Sequence, residues 1–159
     1  MNLKVKYLFP NIPELVSRDG DSGYDIRAAI DIPLNILPNE RASVPTGIMV
    51  EIDTPPLFVA ELGGEETQYI PLQYELQVRP RSGLTKRGLI AQFGTIDASY
   101  RGEIWITIIN VSREVMTIEP LERIAQLVVC PIFKPTIVKA DRLTPTERGA
   151  RGFGSTGKD

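Results

Sequence analysis

Apolar and polar residues alternate through much of this chain with the period of two that marks a strand with one buried face. The alternation is clear in Asn2 to Leu8, and Tyr24 to Ile32 and Ala42 to Ile52 read as further short strands. It returns in QYELQV, and β-branched and aliphatic residues dominate Glu103 to Val111 (EIWITIINV) and Arg123 to Phe133 (RIAQLVVCPIF). Turn residues punctuate these runs: RDGDSG at Arg18 to Gly23, then Pro33, Pro38 and Pro45. Helical periodicity is nearly absent, and thirteen prolines spread along the chain interrupt any window long enough for a substantial helix. The pattern allows one short helix, Ser82 to Arg87, with Ser82 as its N-cap. It therefore predicts an all-β fold, a sandwich or distorted barrel of many short strands.

The segment 54–71 carries Pro55, Pro56 and the pair Gly63-Gly64 between two apolar stretches, which suits a long hairpin with the glycines at its tip. From Thr144 onward the chain is polar and Gly-rich, with no core of its own. The expected organisation is one β-domain, residues 1–143, with a probable inserted hairpin at 54–71. Residues 144–159 then form a flexible Gly-rich C-terminal segment.

Composition narrows the chemistry. A chain of 159 residues, 42% hydrophobic and 24% charged, can bury a real core. Its net charge of −2 argues against a general nucleic-acid or anionic-membrane binder, so any anionic ligand must be met by locally placed cations. Histidine is absent altogether. That removes the Ser-His-Asp triad, the Cys-His pair and histidine-ligated zinc, and leaves acid–base work to carboxylates or metal-bound water. The single cysteine, Cys130, lies in an apolar run and reads as a buried structural thiol. A lone cysteine and an N-terminus without a signal-peptide pattern fit a reducing, cytoplasmic setting. No apolar run is long enough to cross a bilayer.

Four stretches carry chemistry. GTIDASYRGEI (Gly94 to Ile104) gathers Asp97, Tyr100, Arg101 and Glu103, with Asp97 and Tyr100 expected in a loop before the next strand. Asp97 is either the cap of an Asx turn or a base that orients water. RPRSGL sets Arg79 and Arg81 beside Ser82 and Gly83. Guanidinium forks, a hydroxyl and free amides suit a phosphate, although a capped helix with a surface arginine explains the fragment as well. SGYDIRAAID contains Asp25 and Asp31, structural or magnesium-holding through water. RGARGFGSTG wraps glycines around Arg148, Ser155 and Thr156, with Phe153 available for stacking on a flat ligand. The run from Gly152 to Lys158 spells the start of a P-loop, but Asp159 follows where Ser or Thr is needed, and the P-loop is rejected. Together the pieces describe a nucleoside triphosphate–magnesium site.

The ordered series SGYDIRAA, RPRSGL, GTIDASYRGEI, RIAQL and RGARGFGSTG, running from Asp21 to Gly157, resembles the motifs of the trimeric all-β dUTPases. The resemblance implies hydrolysis of dUTP to dUMP and pyrophosphate with Mg2+, limiting uracil incorporation into DNA and supplying dUMP for dTMP synthesis. It places Asp97 on the water that attacks the α-phosphorus, and Tyr100 against the deoxyribose. It places Asp25 on magnesium through water, and Arg81, Ser82, Gly83 and Gln126 on the phosphates. Gly94 and Ile96 lie in the hairpin that receives uracil, and Arg148, Phe153, Gly154, Ser155 and Thr156 close over the nucleotide with Phe153 on the base. It implies a homotrimer whose sites are shared between subunits; the charge and the apolar pattern lead to an expectation of no nucleic-acid or membrane partner.

Two features depart from that pattern. Ala91 stands where the family usually has an asparagine that helps read uracil, so readout would lean on backbone groups. The segment 54–71 is also longer than usual. The alternative of a dCTP deaminase, or a bifunctional deaminase–dUTPase, requires a glutamate where this chain has Thr107. A dUTP-sensing protein without turnover would have no use for Asp97.

Overall fold

The computed structural model describes residues 1–53, 57–61 and 68–151. Twelve strands and one short helix follow one another: β1 Asn2–Tyr7, β2 Tyr24–Arg27, β3 Leu34–Ile36, β4 Arg41–Pro45, β5 Ile48–Asp53, β6 Leu57–Glu61, β7 Gln68–Pro80, α1 Ser82–Lys86, β8 Leu89–Ala91, β9 Gly94–Asp97, β10 Trp105–Asn110, β11 Met116–Ile118 and β12 Arg123–Ile132. All pairings are antiparallel. The largest sheet runs β2-β12-β7-β6, with β9 on the other edge of β7, and smaller sheets join β4-β10-β8, β1-β5 and β11-β3. The protein is thus all-β, as the alternation predicts. The single strand expected over residues 42–52 is two strands, β4 and β5. Gly47 breaks it, with φ +67, and a Cβ there would stand 2.9 Å from Ile12 Cγ1.

Alternation sends Ile26, Val44, Leu76, Val78, Ile106, Ile108 and Leu127 into one core, joined by Ile118 and Ile124. Asn110 is fully buried among them, and every polar atom of its amide is used. Its Nδ2 donates to the carbonyls of Ile36 and Glu114, and its Oδ1 accepts from the amide and hydroxyl of Ser112. One side chain therefore ties β3, the end of β10 and the following loop.

β6 and β7 form an antiparallel pair from Leu57↔Leu72 to Glu61↔Gln68; the expected glycine tip, Gly63-Gly64, lies outside the described residues. The helix is as short as expected but differently capped. Arg81 is the N-cap, in extended conformation, and its carbonyl accepts from the amides of Leu84 and Thr85. Ser82 already belongs to the first turn, so its hydroxyl does not cap. Cys130 is half-buried rather than buried, and Arg79 Nη2 lies 3.4 Å from its sulfur. Among the described residues no helix is long and apolar enough to cross a membrane.

Candidate active site

The chemistry-bearing residues gather in two places. The first is a cross-strand row at one end of the large sheet. Asp25 on β2 stands opposite Gln126 on β12, which stands opposite Arg79 on β7. Because Ile26, Ala125, Leu127 and Val78 occupy the core face, this row points the other way. Asp25 is held between two guanidinium groups: Arg81 Nε lies 2.9 Å from Oδ1 and Arg123 Nη1 3.1 Å from Oδ2. Arg81 also donates to the Arg123 carbonyl at 2.9 Å, so the start of α1 is pinned to β12. Arg123, weak as a sequence signal beside Gln126, thus proves to be part of the cluster. Arg79 does not join it, because its guanidinium is occupied by Gln77 Oε1 at 2.8 and 3.1 Å.

Ser82 and Gly83 follow Arg81 at the exposed first turn of α1, where backbone amides have no partner within the helix. A Cβ on Gly83 would meet nothing within 4 Å. The fold does not need this glycine; the space beside it is open for a ligand. Asp25 Oδ1 is buried and accepts no aligned hydrogen bond, so its contact with Arg81 is one of charge alone and a lone pair remains free.

The second cluster surrounds β9. Asp97 is the last residue of that strand, rather than a loop residue, and pairs with Glu75 of β7. The strand ends in a turn in which the Tyr100 amide donates to the Asp97 carbonyl at 2.9 Å. Tyr100 Oη reaches the Glu103 carbonyl at 2.9 Å, and Arg101 donates to the carbonyls of Ala98 and Tyr100. Arg101 also meets Glu51 of β5 at 3.4 Å, while Glu103 Oε1 accepts from the Gly47 amide at 2.8 Å. The turn is therefore fastened on both sides to the scaffold. Thr95, Ile96, Asp97, Tyr100, Glu103, Ile104 and Trp105 enclose a cleft of about 260 Å³.

Gly102 has a specific reason here. A Cβ at that position would lie 2.3 Å from Tyr100 Oη and 2.6 Å from Cζ. The Gly102→Ala variant is expected to melt close to wild type, since the exposed Tyr100 ring can swing outward. Its kcat/KM should nonetheless fall by roughly 10- to 100-fold, because a displacement near 1 Å in a positioning group costs about that much. Thermal denaturation and steady-state kinetics on the same preparation measure both; unchanged kcat/KM would show that the Tyr100 position is immaterial.

The two clusters do not meet within one chain. Glu75 and Arg79 are four residues apart on β7, about 13 Å at the strand rise, and β9 is three interstrand spacings from β2, about 14 Å. Asp97 thus stands about 20 Å from Asp25 along the sheet. Arg148 lies farther down an exposed segment, in a turn where it and Arg151 exchange bonds with each other's carbonyls. Phe153, Gly154, Ser155 and Thr156 fall outside the described residues. Ala91 points its methyl into the core and pairs with Ile108, so β8 offers the cleft no side chain there.

A residue that the motifs do not contain also lines this region. Trp105 is 55% exposed at the mouth of the cleft. The signal was present in the alternation of WITIIN, which turns Ile106 and Ile108 inward and Trp105 and Thr107 outward.

Comparison with known proteins identifies the family. The dUTPase family model matches residues 67–157. The deoxyuridine 5'-triphosphate nucleotidohydrolase of Bdellovibrio bacteriovorus is 42% identical over 98% of this chain and 93% of that protein. Among solved structures, a mutant Staphylococcus bacteriophage 80alpha dUTPase with dUpNHpp is 27% identical, with a TM-score of 0.73 over 98% of each chain. The dUTPase of phage phi11 of S. aureus, solved as a mutant that shows the coordination of a structural Mg(II) ion, shares the fold at 23% identity. Its TM-score is 0.71 over 90% of this chain and 99% of that one. On the family match and the near full-length relatives, the chain belongs to the dUTPase family.

Proposed function

We propose that this protein hydrolyses dUTP to dUMP and pyrophosphate in sites that two or more copies of the chain build together. The observation that carries the shared site is the distance of about 20 Å between Asp97 and Asp25. A triphosphate cannot have its α-phosphorus beside one and its chain beside the other within a single copy. A homotrimer, the assembly expected from the motifs, brings the Asp97 cluster of one copy against the Asp25 cluster of a neighbour.

In that arrangement the deoxyribose packs on Tyr100, whose ring excludes a 2′-hydroxyl, and the base reaches the hairpin backbone at Gly94 to Ile96. Asp97 accepts a proton from the attacking water. The water oxygen bonds to the α-phosphorus as the bond to the bridging oxygen breaks, and pyrophosphate leaves with that electron pair. Arg81, Gln126 and the first-turn amides at Ser82 and Gly83 hold the phosphate chain and spread its charge.

The residues present fit a magnesium ion of a particular kind. Among the described residues no three acidic or thiol side chains gather to cage a metal. Asp25 instead offers one buried oxygen with a free lone pair, which suits a hydrated ion held mostly by substrate phosphates. Mg2+ bound there would neutralise charge developing on the phosphate oxygens.

Residues 134–151 are exposed throughout, with Ile137, Val138 and Leu143 uncovered. Such a segment has no core of its own, and we assign the Gly-rich end, residues 144–159, as a lid. In it Arg148, Phe153, Gly154, Ser155 and Thr156 cover a nucleotide bound in a neighbouring copy and exclude water at closure.

Pyrophosphate release from dUTP, dCTP, dTTP and UTP, each with magnesium and with chelator, tests the whole assignment. Release from dUTP alone, lost on chelation, is the expected result. Comparable release from dTTP or UTP would mean a broader pyrophosphatase, ammonia from dCTP a deaminase, and binding of dUTP without release a sensor. Thr107, on the outward face of β10, speaks against the deaminase because a threonine hydroxyl cannot shuttle protons at a cytosine ring.

A further inference from the structure

A second cleft of about 220 Å³ lies on the hairpin side of β9, lined by Gln92, Phe93, Gly94 and Thr95 with residues 105–107 of β10. Thr95, Ile96 and Trp105 are common to this cleft and to the one that holds Asp97 and Tyr100. Trp105 therefore stands where the two spaces join. Its exposure is notable for the largest apolar side chain in the repertoire, and Phe93 at 55% and Tyr100 at 46% are similarly uncovered beside the same strand. Single exposed apolar residues need no explanation, but three aromatics along two joined clefts, with Trp105 common to both, do.

We propose that Trp105 is a nucleoside-binding residue, whose indole forms the wall against which the pyrimidine ring rests. This deepens the dUTP assignment above and rests on it. With the reacting phosphate at Asp97 and the sugar at Tyr100, a base directed to the Gln92–Thr95 hairpin must pass Trp105. The hairpin backbone supplies hydrogen bonds but little surface, and Ala91 is turned into the core. A flat π-face of indole supplies the missing contact area, at small cost in rotamer entropy because few torsions must be fixed.

Trp105 is the only tryptophan of the chain, so indole fluorescence of the full-length assembled protein reports on this position alone. Titration with dUpNHpp in magnesium is expected to give a saturable change in intensity or wavelength. The Trp105→Ala variant should raise KM for dUTP about tenfold, the effect of losing one base–aromatic stack, with kcat within about twofold. Trp105→Phe should restore most of the affinity. The proposal is overturned if wild-type protein hydrolyses dUTP while its fluorescence ignores dUpNHpp, or if Trp105→Ala keeps its KM. It is equally overturned if the fluorescence follows protein concentration instead of nucleotide and Trp105→Ala dissociates the assembly in light scattering, since the indole would then be an interface between copies. Failure of the underlying dUTP assignment appears separately, as wild-type protein that releases no pyrophosphate.

Discussion

Asp97→Asn is expected to abolish turnover while leaving nucleotide binding nearly intact. Asparagine keeps the shape of the side chain at the end of β9 and can still accept one hydrogen bond from water, but it cannot take the proton that the attacking water must lose. Removal of a general base typically costs ~10²–10⁴-fold in rate. The strand pairing Glu75↔Asp97 and the turn bond from Tyr100 involve backbone atoms, so neither depends on the carboxylate. The variant should therefore fold, assemble and bind dUTP with a Kd close to that of the wild type. Single-turnover hydrolysis together with equilibrium binding separates the two effects. Wild-type turnover would remove Asp97 from the mechanism, and loss of binding would recast it as a structural residue.

A larger change in signal is expected from combining two inactive proteins. Arg81→Ala removes a phosphate contact from the Asp25 cluster, and Asp97→Asn removes the base from the other, about 20 Å away along the same sheet. Each variant alone is expected to be nearly inert. Coexpression in equal amounts produces mixed assemblies. A site that takes its Asp97 cluster from one copy and its Arg81 cluster from another is intact when the first copy carries Arg81→Ala and the second Asp97→Asn. Each condition holds half the time, so roughly a quarter of sites recover under random mixing of a closed cyclic oligomer. If one chain supplied both clusters, no mixed site would work. Activity at the level of the separate variants would therefore refute the shared site, while recovery near a quarter would establish it without any image of the assembly.

Both experiments turn on residues that the sequence displays, but on distances it does not. The strand pattern was legible in β10 and β12 because β-branched and aliphatic residues dominate both runs, although it did not show that Ile106, Ile108 and Leu127 are the ones in the core. It failed for 42–52 because a positive φ at Gly47 is a property of a single residue, invisible to a pattern summed over eleven. The helix was found but its cap was misplaced by one residue. Hydroxyl chemistry favours Ser82 as N-cap, whereas the clamp between Arg81, Asp25 and the Arg123 carbonyl holds Arg81 in the extended conformation that starts the helix. That clamp joins residues far apart in the chain, and no local rule contains it.

The sequence by itself determined the fold class and the short helix, and it put forward Asp25, Arg81, Gln126, Asp97 and Tyr100 as site residues, because hydrophobic period and local motif chemistry are written in neighbouring residues. Strand register decided the rest. It set Asp25, Gln126 and Arg79 in one row and Asp97 in another, turned Arg79 away to Gln77, and brought Trp105 to the mouth of two clefts. Register depends on which strands pair and at which residue, a choice made by packing the whole core, and so only the tertiary structure could divide one string of motifs into two separated clusters.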